Sequence, residues 1–282
     1  MIADLEKISY DDKEGIVVRY LNKYEGIWHY HPEFEIVLTM EGNGTRIVGD
    51  SVELFEACDL VMIAGNIPHA WNYYAEDDII PEKHGIVVHF SESSFGDRLL
   101  TRHEMNEVRE LLRMAERGIG FSSEDACKTR MHLEAMTESR GIDKVINFFN
   151  VLRLMCRADC KKVLCSENYK ISEDTGGNKR MSDVYTYIRE NFFNPISLEK
   201  VSAIAGMTPF AFSRFFKNHC GSGFVEYLNR LRTSKACYLL RETEYMVHDI
   251  ASKCGFESIS NFNKQFRKSE GVSPRIYRAQ FR

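Results

Sequence analysis

Between Val247 and Arg278 the chain places two short apolar segments around a glycine, and few folds accept that punctuation. Ile250 and Ala251 mark one side of the first segment, Gly255 supplies a tight turn, and a second segment opens near Ser258 with Ile259, Phe262 and Phe266 at helical spacing. This is a helix-turn-helix pattern. At about 100° per residue Ile259, Phe262 and Phe266 share a face, and Ser260, Lys264, Arg267 and Lys268 occupy the other, with Asn261 and Asn263 at its edges. Hydroxyl, amide and cation together suit a major groove, although a solvated amphipathic helix alone would look the same.

A second copy decides between these readings. Upstream, Leu198 opens a segment that ends in Ile204-Ala205 and a turn glycine, Gly206; Phe210, Phe212, Phe215 and Phe216 then lead to Lys217 and a further glycine, Gly221. From Phe224 to Arg241 the propensity and the spacing of Tyr227, Leu228, Leu231, Leu239 and Leu240 predict one continuous helix. Two helix-turn-helix units therefore flank a linker helix.

From about Met181 to Arg282 this arrangement resembles the DNA-binding domain of the AraC/XylS family of bacterial transcription regulators. The motifs that carry the resemblance are Gly255-Phe256, Asn261-Phe-Asn-Lys-Gln-Phe-Arg-Lys268 and Gly271-Val-Ser-Pro-Arg-Ile-Tyr-Arg278. It implies that Ser260, Asn261, Asn263 and Lys264 contact DNA, and that Phe210 stands where the family often places a contacting residue. Side-chain chemistry adds to the set. Arg214 has the planar fork for guanine O6 and N7, Ser213 fits a phosphate or a base edge, and Lys217 and Arg267 project outward. Phe210 suits a thymine methyl, or covers the neighbouring helix. Two such helices on one linker are expected to enter successive major grooves about 34 Å apart.

Charge is divided in the same way. The whole chain carries a net −4, but from Arg180 onward there are 16 Lys+Arg against 9 Asp+Glu, a balance of +7, which leaves 21 against 32, or −11, in the rest. A basic unit joined to an acidic one fits a phosphate-binding half and a half that stays off nucleic acid. At 282 residues each half can bury its own core. Eight cysteines form no Cys-x-x-Cys, so the expectation is reduced, mostly buried thiols in a cytoplasmic protein, with Cys156, Cys160 and Cys165 as the cluster to watch for redox chemistry. Neither a signal peptide nor an apolar run of transmembrane length is found, and no membrane partner is expected.

The first hundred residues read as short strands: Gly15–Tyr20, Glu35–Met40, Thr45–Gly49, Asp59–Ile63 and Gly85–Phe90, with Glu41-Gly-Asn-Gly44 as a hairpin signal. Many short strands without interposed helices imply a barrel or sandwich. On one such strand His29 and His31 point to the same side, and a barrel can bring His69 toward them. With Glu35 these make a donor set for zinc, manganese, iron or nickel. The run Trp28-His29-Tyr-His31-Pro-Glu-Phe-Glu35, with Gly42 after it, resembles the first cupin motif, and Gly65-Asn-Ile-Pro-His69 the second. Two positions depart from that pattern. Lys23 stands where the first motif has a glycine, and the second motif lacks its usual Pro-x-Gly opening. Three readings of His29, His31, Glu35 and His69 stay open: a metal site, the lining of an organic-effector pocket, or residues that hydrogen-bond one another. Trp28 and Trp71 would stack on a sugar-like or aromatic effector or serve as core, and Arg46 would pair with a ligand carboxylate or, by default, face water.

From Thr101 the period becomes helical, with one stripe ending at Gly118 and Gly120, a helix capped by Ser122, and a third helix from Ile142 to Val163. Asn168–Lys179, with two adjacent glycines, reads as a flexible linker. The expected architecture is α+β: a cupin-like β-barrel over residues 1–100, a helical dimerisation segment over 101–168, a linker over 169–179, and an all-α domain with two helix-turn-helix motifs joined by a linker helix over 180–282. The expected function is a regulator, an activator by resemblance, that dimerises, binds double-stranded promoter DNA and responds to a small molecule in the barrel. Its competitors are a metal-dependent cupin enzyme carrying a DNA-binding tether, and a ligand-free scaffold.

Overall fold

The computed structural model describes residues 15–21, 27–74, 84–169 and 175–281. Lys23 and the beginning of the polar linker lie outside them. Strands come first: β1 (Ile16–Leu21), β2 (Phe34–Thr39), β3 (Gly44–Val48), β4 (Ser51–Phe55), β5 (Asp59–Ile63), β6 (His69–Tyr73) and β7 (Gly85–Phe90). The helices α1 (Gly96–Leu99) and α2 (Asn106–Ala115) follow, then β8 (Ile119–Phe121), α3 (Ser123–Glu138), α4 (Gly141–Arg157) and β9 (Lys161–Val163). The rest is helical: α5 (Thr175–Asn191), α6 (Leu198–Ile204), α7 (Pro209–Cys220), α8 (Phe224–Glu242), α9 (Val247–Lys253), α10 (Ile259–Glu270) and α11 (Pro274–Ala279).

The strands form two antiparallel sheets, ordered β1-β7-β2-β5-β8-β9 and β4-β3-β6. They share one core, because Ile36, Val61 and Val88 of the larger sheet cluster with Val48, Phe55 and Trp71 of the smaller. Between the named strands of the two sheets there is no pairing, so the expected closed barrel is two facing sheets. The hairpin expected at Glu41–Gly44 is likewise a crossover: β2 pairs with β5 and β7, whereas β3 pairs with β4 and β6. The true hairpin joins β3 to β4, where Val48 faces Ser51 across Gly49-Asp50 and Gly49 adopts a φ of +55°.

The middle segment does not stand apart. The third helix ends at Arg157 and its expected continuation becomes β9, which pairs with β8 on the edge of the larger sheet. Ala115, Leu133, Phe148 and Met155 from α2, α3 and α4 enter the same core as the strands. Helix α3 starts as its sequence predicts, with the Ser122 hydroxyl accepting from Asp125 N at 3.1 Å. Residues 175–179, expected to be linker, are the first turns of α5.

In the carboxy-terminal half α6–α7 and α9–α10 are the two helix-turn-helix pairs, and α8 links them. The turn glycines Gly206 and Gly255 have φ of +64° and +81°, the left-handed region, and a Cβ on Gly255 would come within 2.7 Å of the Phe192 carbonyl. Each pair has its own phenylalanine core, Phe212 and Phe216 on α7 and Phe262 and Phe266 on α10.

Phe148 is fully buried, with ring centroids 5.0 Å from Phe90 and 5.9 Å from Phe95. Phe148→Ala is expected to destabilise the sheet-bearing half by about 3–5 kcal/mol in urea denaturation. A loss below about 1 kcal/mol would show that α4 is not part of that core.

Candidate nucleic-acid interface and buried histidine cluster

On α7 the periodicity that buries Phe212, Phe215 and Phe216 leaves Ser213, Arg214 and Lys217 exposed, and Phe210 stands 87 % exposed at the helix start. An aromatic ring left so bare has no role in the helix's own packing. On α10, Ser260, Asn261, Asn263, Lys264 and Arg267 are all exposed. Local contacts limit some of these groups. Ser213 Oγ donates to Pro209 O at 2.8 Å, Gln265 Nε2 donates to Asn261 Oδ1 at 3.4 Å, and Lys268 Nζ pairs with Glu226 of α8 at 3.3 Å. The second pair also forms a concave surface lined by Asn263, Lys264, Arg267 and Lys268 of α10 with His248 and Arg275. His248 and Arg275 escape a reading confined to the outer face of one helix, because α9 and α11 bring them there.

In the sheet half, His29, His31, Glu35 and His69 come together, each with one ligand-type atom within 4.8 Å of the others. Pairing of residue 29 with residue 69 brings the first histidine segment to β6. The ring Nδ1 atoms of His29, His31 and His69 donate to the carbonyls of Ile27 (3.0 Å), Glu33 (3.1 Å) and Ile67 (2.8 Å). A carbonyl only accepts, so each Nδ1 carries the hydrogen and each neutral ring turns the lone pair of Nε2 inward. His31 Nε2 lies 2.6 Å from Glu35 Oε2. His69 Nε2 sits 3.1 Å and His89 Nε2 3.4 Å from the same oxygen, both out of hydrogen-bonding alignment with it. Lone pairs facing a carboxylate repel unless a cation or an added proton stands between them, so the donor set fits a divalent metal. Burial alone would raise the Glu35 carboxyl, but when the balancing charge is an added proton on His69, with hydrogen bonds from His31, His69 and His89, it is held well below the usual carboxylate range. His89 is a residue that sequence reasoning misses: it has no motif spacing, and β7 delivers it directly opposite Glu35.

Side-chain alternation sends the neighbours of these histidines the other way. Trp71, beside His69 with ring centroids 5.8 Å apart, shares the inner core. Trp28 does not. It is buried against α5, its ring 5.1 Å from Tyr185, and belongs with Ile47 and Ala70 to the core of the first helix-turn-helix unit. The expectation that Trp28 lines an effector pocket is therefore corrected, since residues 28 and 29 point to opposite faces. Arg46 is corrected too: it is buried and paired with Asp59 and Glu53, not turned to water.

The outer face of β3 and β6 is thus a docking surface for the helical half. Asn72 Nδ2 donates to the Tyr185 hydroxyl at 2.7 Å, Thr45 Oγ1 and Ser234 Oγ of α8 lie 2.7 Å apart, and Arg230 Nη1 donates to Asp50 O at 2.7 Å. Arg241 of α8 pairs with Glu56, and Lys235 Nζ lies 3.9 Å over the Tyr74 ring.

The geometry defines a double helix-turn-helix protein whose exposed helix faces are polar and cationic. Residues 201–280 match the family described as "Helix-turn-helix domain". The transcriptional activator AarP of Providencia stuartii is 34% identical over 98 residues, 35% of this chain and 73% of that protein. The activator RhaR of Cronobacter sakazakii is 24% identical over 261 residues, 90% of this chain and 87% of its own, and RhaS of Enterobacter sp. (strain 638) is 32% identical over 146 residues, 51% and 49%. The DNA-binding domain of AdpA, solved with target DNA, aligns at 31% identity with a TM-score of 0.36, over 36% of this chain and 93% of that one. The chain belongs to the AraC/XylS family of helix-turn-helix transcription regulators. It spans about a third to a half of the length of several curated relatives, 34% of one and 49% of another. None of the helices among the described residues is long and apolar enough to cross a membrane.

Trp28 and Trp71 are the only tryptophans. In a Trp71→Phe background the emission of Trp28 is expected to shift to longer wavelength when Tyr185→Ala opens the docking face, and to stay unchanged in Asn263→Ala. An unshifted spectrum for Tyr185→Ala would mean that Trp28 is not buried by the helical half.

Proposed function

We propose that this protein is a transcription regulator, an activator like the relatives it resembles, which reads promoter DNA through α7 and α10 and senses a ligand in its sheet half. The observation that carries the first part is the pairing, on both helices, of a buried phenylalanine face with an exposed polar and cationic one. Arg214 reads a base edge, Asn261 and Asn263 suit adenine, and Lys217, Lys264 and Arg267 hold bases or phosphates, with Ser213, Ser260 and Phe210 completing the surface. Binding measured by fluorescence anisotropy is expected to weaken steeply with salt. Arg214→Ala is expected to cost about 1–3 kcal/mol and to relax preference at one base position. Equal weakening on every sequence would assign Arg214 to phosphate instead.

The sheet half, read as a cupin-type sensor, would hold a divalent cation through the Nε2 atoms of His29, His31 and His69 and the Glu35 carboxylate. Such an ion supplies a fixed positive centre to which a sugar-like or acidic effector can bind. Zinc titrated into metal-stripped full-length protein by calorimetry is expected to bind with one equivalent. Glu35→Gln or His31→Ala is expected to weaken it on the order of 10-fold or more. Binding should also weaken on acidification, because a ligating imidazole must be unprotonated. If no metal binds, the metal reading of the cluster falls. Turnover of a sugar or aromatic acid by the metal-loaded protein would favour the enzyme reading.

A homodimer completes the proposal. On α4, Ile142, Val145 and Ile146 are exposed, at 70 %, 36 % and 52 %, in the same half of the helix. The second copy would cover this apolar stripe. Ile146→Glu is expected to leave a monomer in sedimentation at micromolar concentration while the wild type sediments as a dimer. A wild type that is itself monomeric would remove α4 from this role.

A further inference from the structure

The sulfurs of Cys58 and Cys127 lie 3.6 Å apart although the residues belong to different elements. Cys58 closes the turn between β4 and β5, where its N–H donates to Thr39 O at 2.8 Å, and Cys127 lies in the second turn of α3. Most other thiols are shut away: Cys165, Cys220, Cys237 and Cys254 are buried, and Cys156 is half-buried with its thiol pushed up to about 11 by burial. Cys127 is exposed and Cys58 half-buried, so the pair is open to solvent. Of Cys156, Cys160 and Cys165 only Cys160 is exposed, and burial raises the thiols of the other two. Cys58 also has a φ of +62°, a left-handed conformation that favours glycine or asparagine, so a cysteine there is kept at some conformational cost. Arg130, one turn along α3 from Cys127, is held 2.7 Å from Glu134 and adds a weak electrostatic pull toward the Cys58 thiolate. Burial and the Cys127 sulfur outweigh that pull and raise the Cys58 thiol, and Cys127 is the exposed member of the pair, the one that a solvent-borne oxidant reaches first.

We propose that Cys58 and Cys127 form a reversible redox site whose substrate is a hydroperoxide. The exposed Cys127 thiolate attacks the O–O bond of hydrogen peroxide, which breaks to leave Cys127 as a sulfenic acid and, after proton transfer, one water. The Cys58 sulfur then attacks Cys127 Sγ, the S–S bond forms as the S–O bond breaks, and the hydroxyl leaves with the Cys58 proton as a second water. Two thiols are oxidised by two electrons, and one peroxide is reduced to two waters. The sulfurs close from 3.6 Å to the length of a disulfide, about 2.05 Å, and the turn is tied to α3. Two residues before Cys58 the same turn carries Glu56, the partner of Arg241 on α8, so the bridge forms beside the contact that holds the helical half.

The test treats the reduced full-length protein with one equivalent of hydrogen peroxide, alkylates the remaining thiols, and identifies peptides by mass spectrometry. Alkylatable thiols are expected to fall from eight to six. One cross-linked peptide should join Cys58 to Cys127, two hydrogens lighter than the separate pair, and dithiothreitol should restore all eight. In Cys58→Ser the sulfenic acid is expected to persist on Cys127 and to be trapped by dimedone. This variant also checks the order of attack. Oxidation confined to Cys160, retention of eight alkylatable thiols, or conversion of Cys127 to sulfinic acid in wild-type protein with Cys58 still free would each overturn the proposal.

Discussion

Strand β3, at the centre of the sheet β4-β3-β6, is buried on both faces, and that constraint organises the molecule. Antiparallel sheets commonly pack one face on a core and give the other to water. Here the inner face carries Arg46, Val48, His69 and Trp71, and the outer face carries Thr45, Ile47, Ala70 and Asn72, which meet α5 and α8. Period-two alternation forces this division, so no residue of β3 or β6 is spare. The same holds for residues 28–31, where Trp28 and Tyr30 face the helical half and His29 and His31 face the cluster.

This shared wall explains why the outer contacts are polar as well as apolar. Asn72 donates to Tyr185 and Thr45 pairs with Ser234 across the interface, and Asp50 at the tip of the β3–β4 hairpin offers its carbonyl to Arg230 and its carboxylate to Ser166 N. A buried polar group left without a partner costs about 1–3 kcal/mol. Separation of the halves would return these groups to water, where they are satisfied again. Trp28, Ile47 and Ala70 supply the apolar part of the same interface, and the polar pairs fix its register.

The two halves differ in how much of them the sequence discloses. A helix-turn-helix is a local object: the turn glycines, the serine caps at Ser197, Ser258 and Ser273, and the phenylalanine spacing all lie within a few residues of what they control. Their mutual contacts follow from helical periodicity. Sheets are assembled from distant segments, and their pairing is not written beside them. Strand β6 reads as histidine, tryptophan, asparagine and tyrosine rather than as an apolar run, so its strand character comes from β3. β9, with two lysines and a valine, is a strand because β8 offers it an edge, which also cuts the third helix short at Arg157. His29, His31, Glu35 and His69 could be picked out by residue type and spacing. His89 could not, because only the β2–β7 register sets it opposite Glu35. Trp28, open from the sequence to effector stacking or core, is core for a related reason: its neighbours are ligands in type, but its parity along the strand is the reverse of theirs.

Parity also sets what a bound ligand could do to the helical half. A ligand acts on an equilibrium only through a difference in its affinity for the two states, and a tenfold difference is worth about 1.4 kcal/mol. His29 and Trp28 are consecutive, as are His69 and Ala70, so a change in the positions of the histidines moves the backbone that carries Trp28 onto Tyr185 and Asn72 onto its hydroxyl. No long chain of intermediates is required, because the strand itself is the connection. A shift of more than about 0.5 Å carries a hydrogen bond of 2.7 Å beyond the usual range, and one such bond contributes on the order of 1 kcal/mol. The energy available at this wall is thus of the size that a tenfold difference in ligand affinity demands, and it is concentrated where Tyr185 and Ser234 hold the helices that carry α7 and α10.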